Sequence, residues 1–152
     1  ISDTVKVGKQ TDTGREVVEF KCPERPLGLL ALIPPAGNTA PFEAYDCFGA
    51  KMIGTQCRFV SDNDLMAHLQ TLLAGHKTVK ADCQLSQVRY AFMGKTGSIV
   101  MELACVNKRG YIGVLNTART AISPAVPCNI AATSDKVPEK CTIKDNGSNI
   151  AD

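Results

Sequence analysis

The sequence predicts a mainly β fold: two tandem three-stranded antiparallel meanders joined by one helix and stapled by disulfides. Three observations carry this expectation. The chain matches itself at a shift of 83 residues, with Val5 over Val88. The matched stretches alternate apolar and polar residues with the period of a strand. Cysteines recur in the same order in both copies, Cys22, Cys47 and Cys57 over Cys105, Cys128 and Cys141.

The match runs without a gap from Val5–Cys22 over Val88–Cys105. Thr13-Gly14 lies over Thr96-Gly97, Val17 over Val100, Glu19 over Glu102, and Lys6 over Arg89. One residue of gap beyond the cysteine places Gly28 over Gly110 and Leu29–Ile33 over Tyr111–Leu115. Chance seldom keeps three cysteines, two glycines and a glutamate in one order.

The first strand of each copy is Val5–Lys9 or Val88–Phe92; in the latter, Val88, Tyr90 and Phe92 share a face. A Thr-Gly turn follows, where glycine supplies the positive φ that tight turns require. The second strand is Glu16–Cys22 or Ile99–Cys105, and the third is Leu29–Ile33 or Tyr111–Leu115. After each third strand a Pro-rich loop (Pro34, Pro35, Pro41; Pro124, Pro127) returns the chain to a cysteine. Such a loop makes few hydrogen bonds of its own, so a covalent tie would hold it best.

Between the copies, Ser61 reads as an N-cap with Asp64 three residues on. Leu65, Leu69, Leu72 and Leu73 form an apolar stripe at helical spacing, and Gly75 ends it. The expected helix is Asp62–Ala74. The organisation that follows is a β unit over 1–60, a linking helical segment over 61–82, and a second β unit over 83–152, sharing one compact domain.

Seven cysteines in 152 residues, none in a Cys-x-x-Cys pair and none at ligand spacing to His68 or His76, argue against structural zinc. Equivalent cysteines should take equivalent partners, which leads to Cys22–Cys47, Cys105–Cys128 and Cys57–Cys83. Cys141 is then left over, while the counterpart of Cys83 falls one residue ahead of Ile1. The expectation is a chain cut from a longer array, or one whose mature end abuts a cysteine. Disulfides place the protein outside the cytoplasm, secreted or periplasmic.

Composition narrows the function classes. A net charge of +2 with no run of five basic residues gives nucleic acid no footprint. The longest apolar stretch, Leu27 to Pro35, is too short for a membrane span of about 20 residues. No Gly-rich phosphate loop, cofactor motif, nucleophile elbow or His-Glu-x-x-His is present. His68 reads as a helix-surface histidine and His76 as a helix-end residue. Asp62 and Asp64 read as helix-cap groups rather than calcium ligands. Glu19 and Glu102 read as cross-strand ion pairs with Lys6 and Arg89, each contributing about 0.2 to 1 kcal/mol if partly exposed. The expected function is a non-catalytic interaction module whose partner is another protein or an envelope component. Two alternatives stay open: a small secreted hydrolase using Glu19, Glu102 or His68, and a structural repeat of a longer surface protein.

Overall fold

In the computed structural model, which describes residues 2–76, 79, 83–144 and 146, the chain is mainly β and divides into two compact units, Ile1–Leu65 and Met66–Asp152. Each unit holds one four-stranded antiparallel meander.

In the first unit, β1 (Asp3–Lys9), β2 (Glu16–Lys21), β3 (Leu29–Ile33) and β4 (Glu43–Tyr45) lie side by side in chain order. Gly14, at φ 70°, closes the first hairpin. The alternation in β2 and β3 is one-sided. Val17, Glu19, Leu30 and Leu32 are buried together with Phe48 and Ala50 of α1 (Cys47–Met52). That short helix starts because the Asp46 carboxylate accepts from the Gly49 N–H at 2.9 Å, a side-chain N-cap.

The helix α2 (Asp62–Ala74) begins and ends where the sequence places it. Its capping box is reciprocal: Asp64 N–H donates to Ser61 Oγ at 3.1 Å and Ser61 N–H donates to Asp64 Oδ2 at 2.9 Å. Leu65, Leu69 and Leu73 are buried at i, i+4 and i+8, whereas Leu72 is half-buried at the margin of the stripe.

In the second unit, β5 (Leu85–Met93), β6 (Ile99–Cys105), β7 (Gly110–Leu115) and β8 (Ile122–Pro127) form the second meander, followed by α3 (Cys128–Thr133). All seven residues of β6 are buried. Val100 and Ile112 pack with Ala131 of α3 on one face. On the other face Ile99, Met101, Leu103, Tyr111 and Leu115 are buried.

Each sheet therefore has a fourth strand where a Pro-rich loop was expected. Prolines cannot donate to a ladder, so they are tolerated on an edge, and β8 is an edge strand carrying Pro124 and Pro127.

The disulfides are Cys47–Cys57, Cys83–Cys105 and Cys128–Cys141. This corrects the expected Cys22–Cys47, Cys57–Cys83 and Cys105–Cys128 pairing; Cys22 is a free thiol and Cys141 is paired. In the observed scheme Cys47–Cys57 and Cys128–Cys141 are equivalent pairs, whereas Cys22, the counterpart of the bonded Cys105, has no disulfide. Cys47 and Cys128 each open a short helix whose chain turns back at once, leaving their α-carbons 5.8 and 5.7 Å from those of Cys57 and Cys141.

Candidate functional site

Each unit contains the same constellation: one fully buried glutamate under the segment that follows a disulfide. Glu19 and Glu102 occupy matching places in the middle strands β2 and β6 and have no solvent exposure. Glu19 accepts from the backbone N–H groups of Arg58 at 2.5 Å and Phe59 at 3.0 Å, directly after Cys57. Glu102 accepts from those of Thr142 at 2.7 Å and Ile143 at 2.9 Å, directly after Cys141. The carboxylates thus accept from backbone N–H donors of the returning chain and are themselves satisfied in burial.

The two sites differ in their fourth wall. Arg89 Nε donates to Glu102 Oε1 at 2.9 Å, and the same guanidinium reaches the Lys140 carbonyl at 2.9 Å. Asn146 adds a side-chain donor at 2.7 Å. Burial pushes the Glu102 carboxyl up, but the bonds from Asn146, Thr142, Ile143 and Arg89 outweigh it and hold the group below the usual carboxylate range. The ion pair expected at Glu102 is present, with the carboxylate fully buried and the Arg89 side chain partly exposed.

The expected Glu19–Lys6 pair is not formed. Lys9 pairs with Glu16 and Gly8 with Val17; Val7 then bulges, and Lys6 falls opposite Val18. The bulged carbonyl of Val7 is taken by Thr55 Oγ1 at 3.0 Å. Lys6, on the other face, pairs with Glu16 at 3.0 Å. In the second hairpin the pairing starts one residue offset, with Phe92 opposite Val100 and Met93 opposite Ile99, and the irregularity at Ala91 then brings Arg89 opposite Glu102.

Gly28 sits against the first constellation. At φ 84°, a Cβ built on it would lie 2.3 Å from Cys47 Sγ, so a side chain there is excluded by the disulfide.

Glu19 with Cys47 and Cys57, and Glu102 with Cys128 and Cys141, each bring three ligand-type atoms within 4.8 Å. A metal would need thiolates, and these sulfurs are bonded to one another. His68, named in the hydrolase alternative, lies half-buried on α2 with Nε2 3.3 Å from the Arg119 carbonyl. Its neighbour in sequence, His76, borders an open cleft with Thr71, Thr120 and Ser123 and accepts from the Val79 N–H at 3.2 Å.

Surface features missed from the sequence lie in the β3–β4 loop. Phe42 is 69% exposed beside Pro41, immediately before β4. The loop is shaped by a Pro35 carbonyl–Asn38 N–H bond of 3.0 Å and an Asn38 side chain that accepts from Ala40 N–H at 2.8 Å. An aromatic directly before a charged edge strand was the available signal.

No protein-family model matches the chain, and no curated protein matches it. Among solved structures, the YpmB protein from Bacillus subtilis aligns over 84% of this chain and 86% of that chain, at 10% identity and a TM-score of 0.31. A likeness at that level carries no argument about this protein. Three disulfides fit an extracytoplasmic setting. Among the described residues, no helix is long and apolar enough to cross a membrane.

Proposed function

We propose that the chain is a non-catalytic interaction module, secreted or periplasmic, which binds another protein or an envelope component through the loop Pro34–Phe42. It is built from β units over 1–60 and 83–152, joined through 61–82. The observation that carries the reading is Phe42, a large aromatic 69% exposed on a short loop between two paired strands. An exposed aromatic anchored beside a strand offers much contact area at low entropic cost and is a common binding anchor. The β4 edge beside it adds unpaired backbone groups and the Arg15–Glu43 ion pair at 3.2 Å.

The hydrolase alternative needs Glu19, Glu102 or His68 to meet a substrate. The two carboxylates have no exposure and are engaged by backbone N–H groups, which supports the binding reading over it. The structural-repeat alternative is compatible with an exposed loop and differs only in having further copies around it.

The test is a pull-down from the native envelope or secretome with oxidised wild-type chain, Phe42→Ala and Lys6→Ala side by side. A specific partner should be retained by wild type and Lys6→Ala and lost by about tenfold or more with Phe42→Ala. Equal recovery by all three would remove the loop from the reading.

A further inference from the structure

On the face of the second sheet that carries Ile99, Met101, Leu103, Tyr111 and Leu115 all five residues are buried, and α2 is tied to the segments at both edges of that sheet. Leu69 and Leu73 of α2 are buried. The Gln70 side chain bonds the Cys83 carbonyl at 3.0 Å and the Leu85 N–H at 2.8 Å, at the β5 side. His68 meets the Arg119 carbonyl at the far side, and α3 already occupies the opposite face. Beyond the helix, Cys83 is bonded to Cys105 at the end of β6.

The matching face of the first sheet carries Val18, Phe20, Leu29, Ala31 and Ile33, all only half-buried. Cys22 follows the last residue of β2, two residues beyond Phe20, and is half-buried. It holds the place of Cys105, yet has no disulfide. A half-buried apolar face, bordered by the Lys6–Glu16 ion pair, and a free thiol at its end therefore belong to one sheet. In the second unit a single segment, α2 with Cys83, is tied to both edges of the corresponding sheet and bonds the corresponding cysteine.

We propose that this face of the first sheet is the docking site of a second segment of that kind. Its occupant is an amphipathic helix with apolar residues at i, i+4 and i+8, as Leu65, Leu69 and Leu73 are placed in α2, followed by a cysteine that bonds Cys22. Its docking brings the partner cysteine to Cys22 at the N-terminal end of β1. Ser2 N–H donates to the Lys21 carbonyl at 2.9 Å, which sets that end of β1 beside Cys22, as Cys83 is set beside Cys105. Burying five apolar side chains supplies the docking energy, and the disulfide fixes the register.

The test supplies the segment as a peptide spanning residues 61–84 of this chain, its cysteine activated as the mixed disulfide with thionitrobenzoate. The Cys22 thiolate attacks the peptide sulfur, forming the Cys22–peptide disulfide and releasing thionitrobenzoate, whose colour reports the rate. With the full chain, the peptide should react about tenfold or more faster than a scrambled peptide of the same composition, because docking raises the local concentration. Peptide mapping should place the bond at Cys22, and Val18→Asp with Phe20→Asp should bring the rate down to the scrambled level. If that variant loses its far-UV circular dichroism, Ala31→Lys tests the same face. Equal rates for the two peptides, an adduct rate indifferent to the charged substitutions, or preferential formation of a Cys22-linked dimer of the chain would each overturn the proposal.

Discussion

The two sheets share strand order, a buried mid-strand glutamate and a disulfide that opens a short helix, yet they are stabilised differently. In the second, every residue of the middle strand β6 is buried; in the first, β2 alternates buried and half-exposed positions. The second glutamate is held by Arg89, Asn146 and two backbone N–H groups, the first by two backbone N–H groups. What persists between the units is the satisfaction of the returning chain by a carboxylate. What varies is the counter-charge, which depends on strand register, and the cover, which depends on a helix. A buried carboxylate can therefore be kept for its acceptor geometry without an arginine beside it.

The largest expected difference is between the glutamates. Glu102→Ala strands two backbone N–H donors and the Asn146 amide and takes from Arg89 one of its partners, and should cost about 4 kcal/mol, the range for breaking a buried network. Glu19→Ala strands two N–H donors and should cost about 2 kcal/mol. Urea denaturation, with hydrogen exchange to assign the loss to each unit, measures both. Equal costs would mean that Arg89 adds nothing to what the backbone donors supply. Glu102→Gln, expected from sequence to be nearly silent on the basis of a partly exposed pair, should instead cost about 2 kcal/mol, because the side chain is fully buried.

Next come the disulfides. In the chain-entropy account, Cys83–Cys105, separated by 22 residues, contributes about 3.4 kcal/mol, and Cys47–Cys57, separated by 10, about 2.7 kcal/mol. Paired serine substitutions at each bond should destabilise in that order. The reverse order would point to packing around Cys47 rather than loop closure as the dominant contribution.

The acid limb gives a smaller contrast. A carboxyl held below its ordinary value in the folded state stabilises fully above the unfolded value, about 4.3 for glutamate. That contribution is lost as pH falls through the lower folded value. Wild-type stability should thus decline from about pH 5 downward, and Glu102→Gln should flatten the decline. An unchanged slope would assign the acid sensitivity to other carboxylates.

Much of this comparison was legible in the sequence. The turns, the middle strands and the helix Asp62–Ala74 follow from Gly14 and Gly97, from period-two alternation and from the Ser61 cap, all local signals. β4 and β8 were not legible, because Pro34, Pro41, Pro124 and Pro127 suppress the strand pattern although an edge tolerates them. The disulfides were not legible because matching partners is a condition that two pairings satisfy; α1 and α3, which bring Cys47 to Cys57 and Cys128 to Cys141, are only six residues each. The glutamates were singled out correctly, but their partners lie some 40 residues away in segments with no pattern of their own, Arg58–Phe59 and Thr142–Ile143.

The smallest effect tests the register itself. A straight hairpin folded at Thr13-Gly14 places Lys6 beside Glu19; the Val7 bulge places it opposite Val18 and turns it toward Glu16. The side chains of Lys6 and Glu16 are 54% and 49% exposed, so water screens the pair and long side chains must be ordered to form it. A double-mutant cycle over Lys6 and Glu16 should return about 0.5 kcal/mol or less, falling further in high salt. The cycle over Lys6 and Glu19 should return nothing measurable, since side chains on opposite faces share no contact. The corresponding cycle over Arg89 and Glu102 should return about 2 kcal/mol, because the carboxylate is fully buried and shares a hydrogen-bonded network. Coupling between Lys6 and Glu19 as large as that between Arg89 and Glu102 would mean that the bulge at Val7 is not held in solution, and that the two hairpins share one register after all.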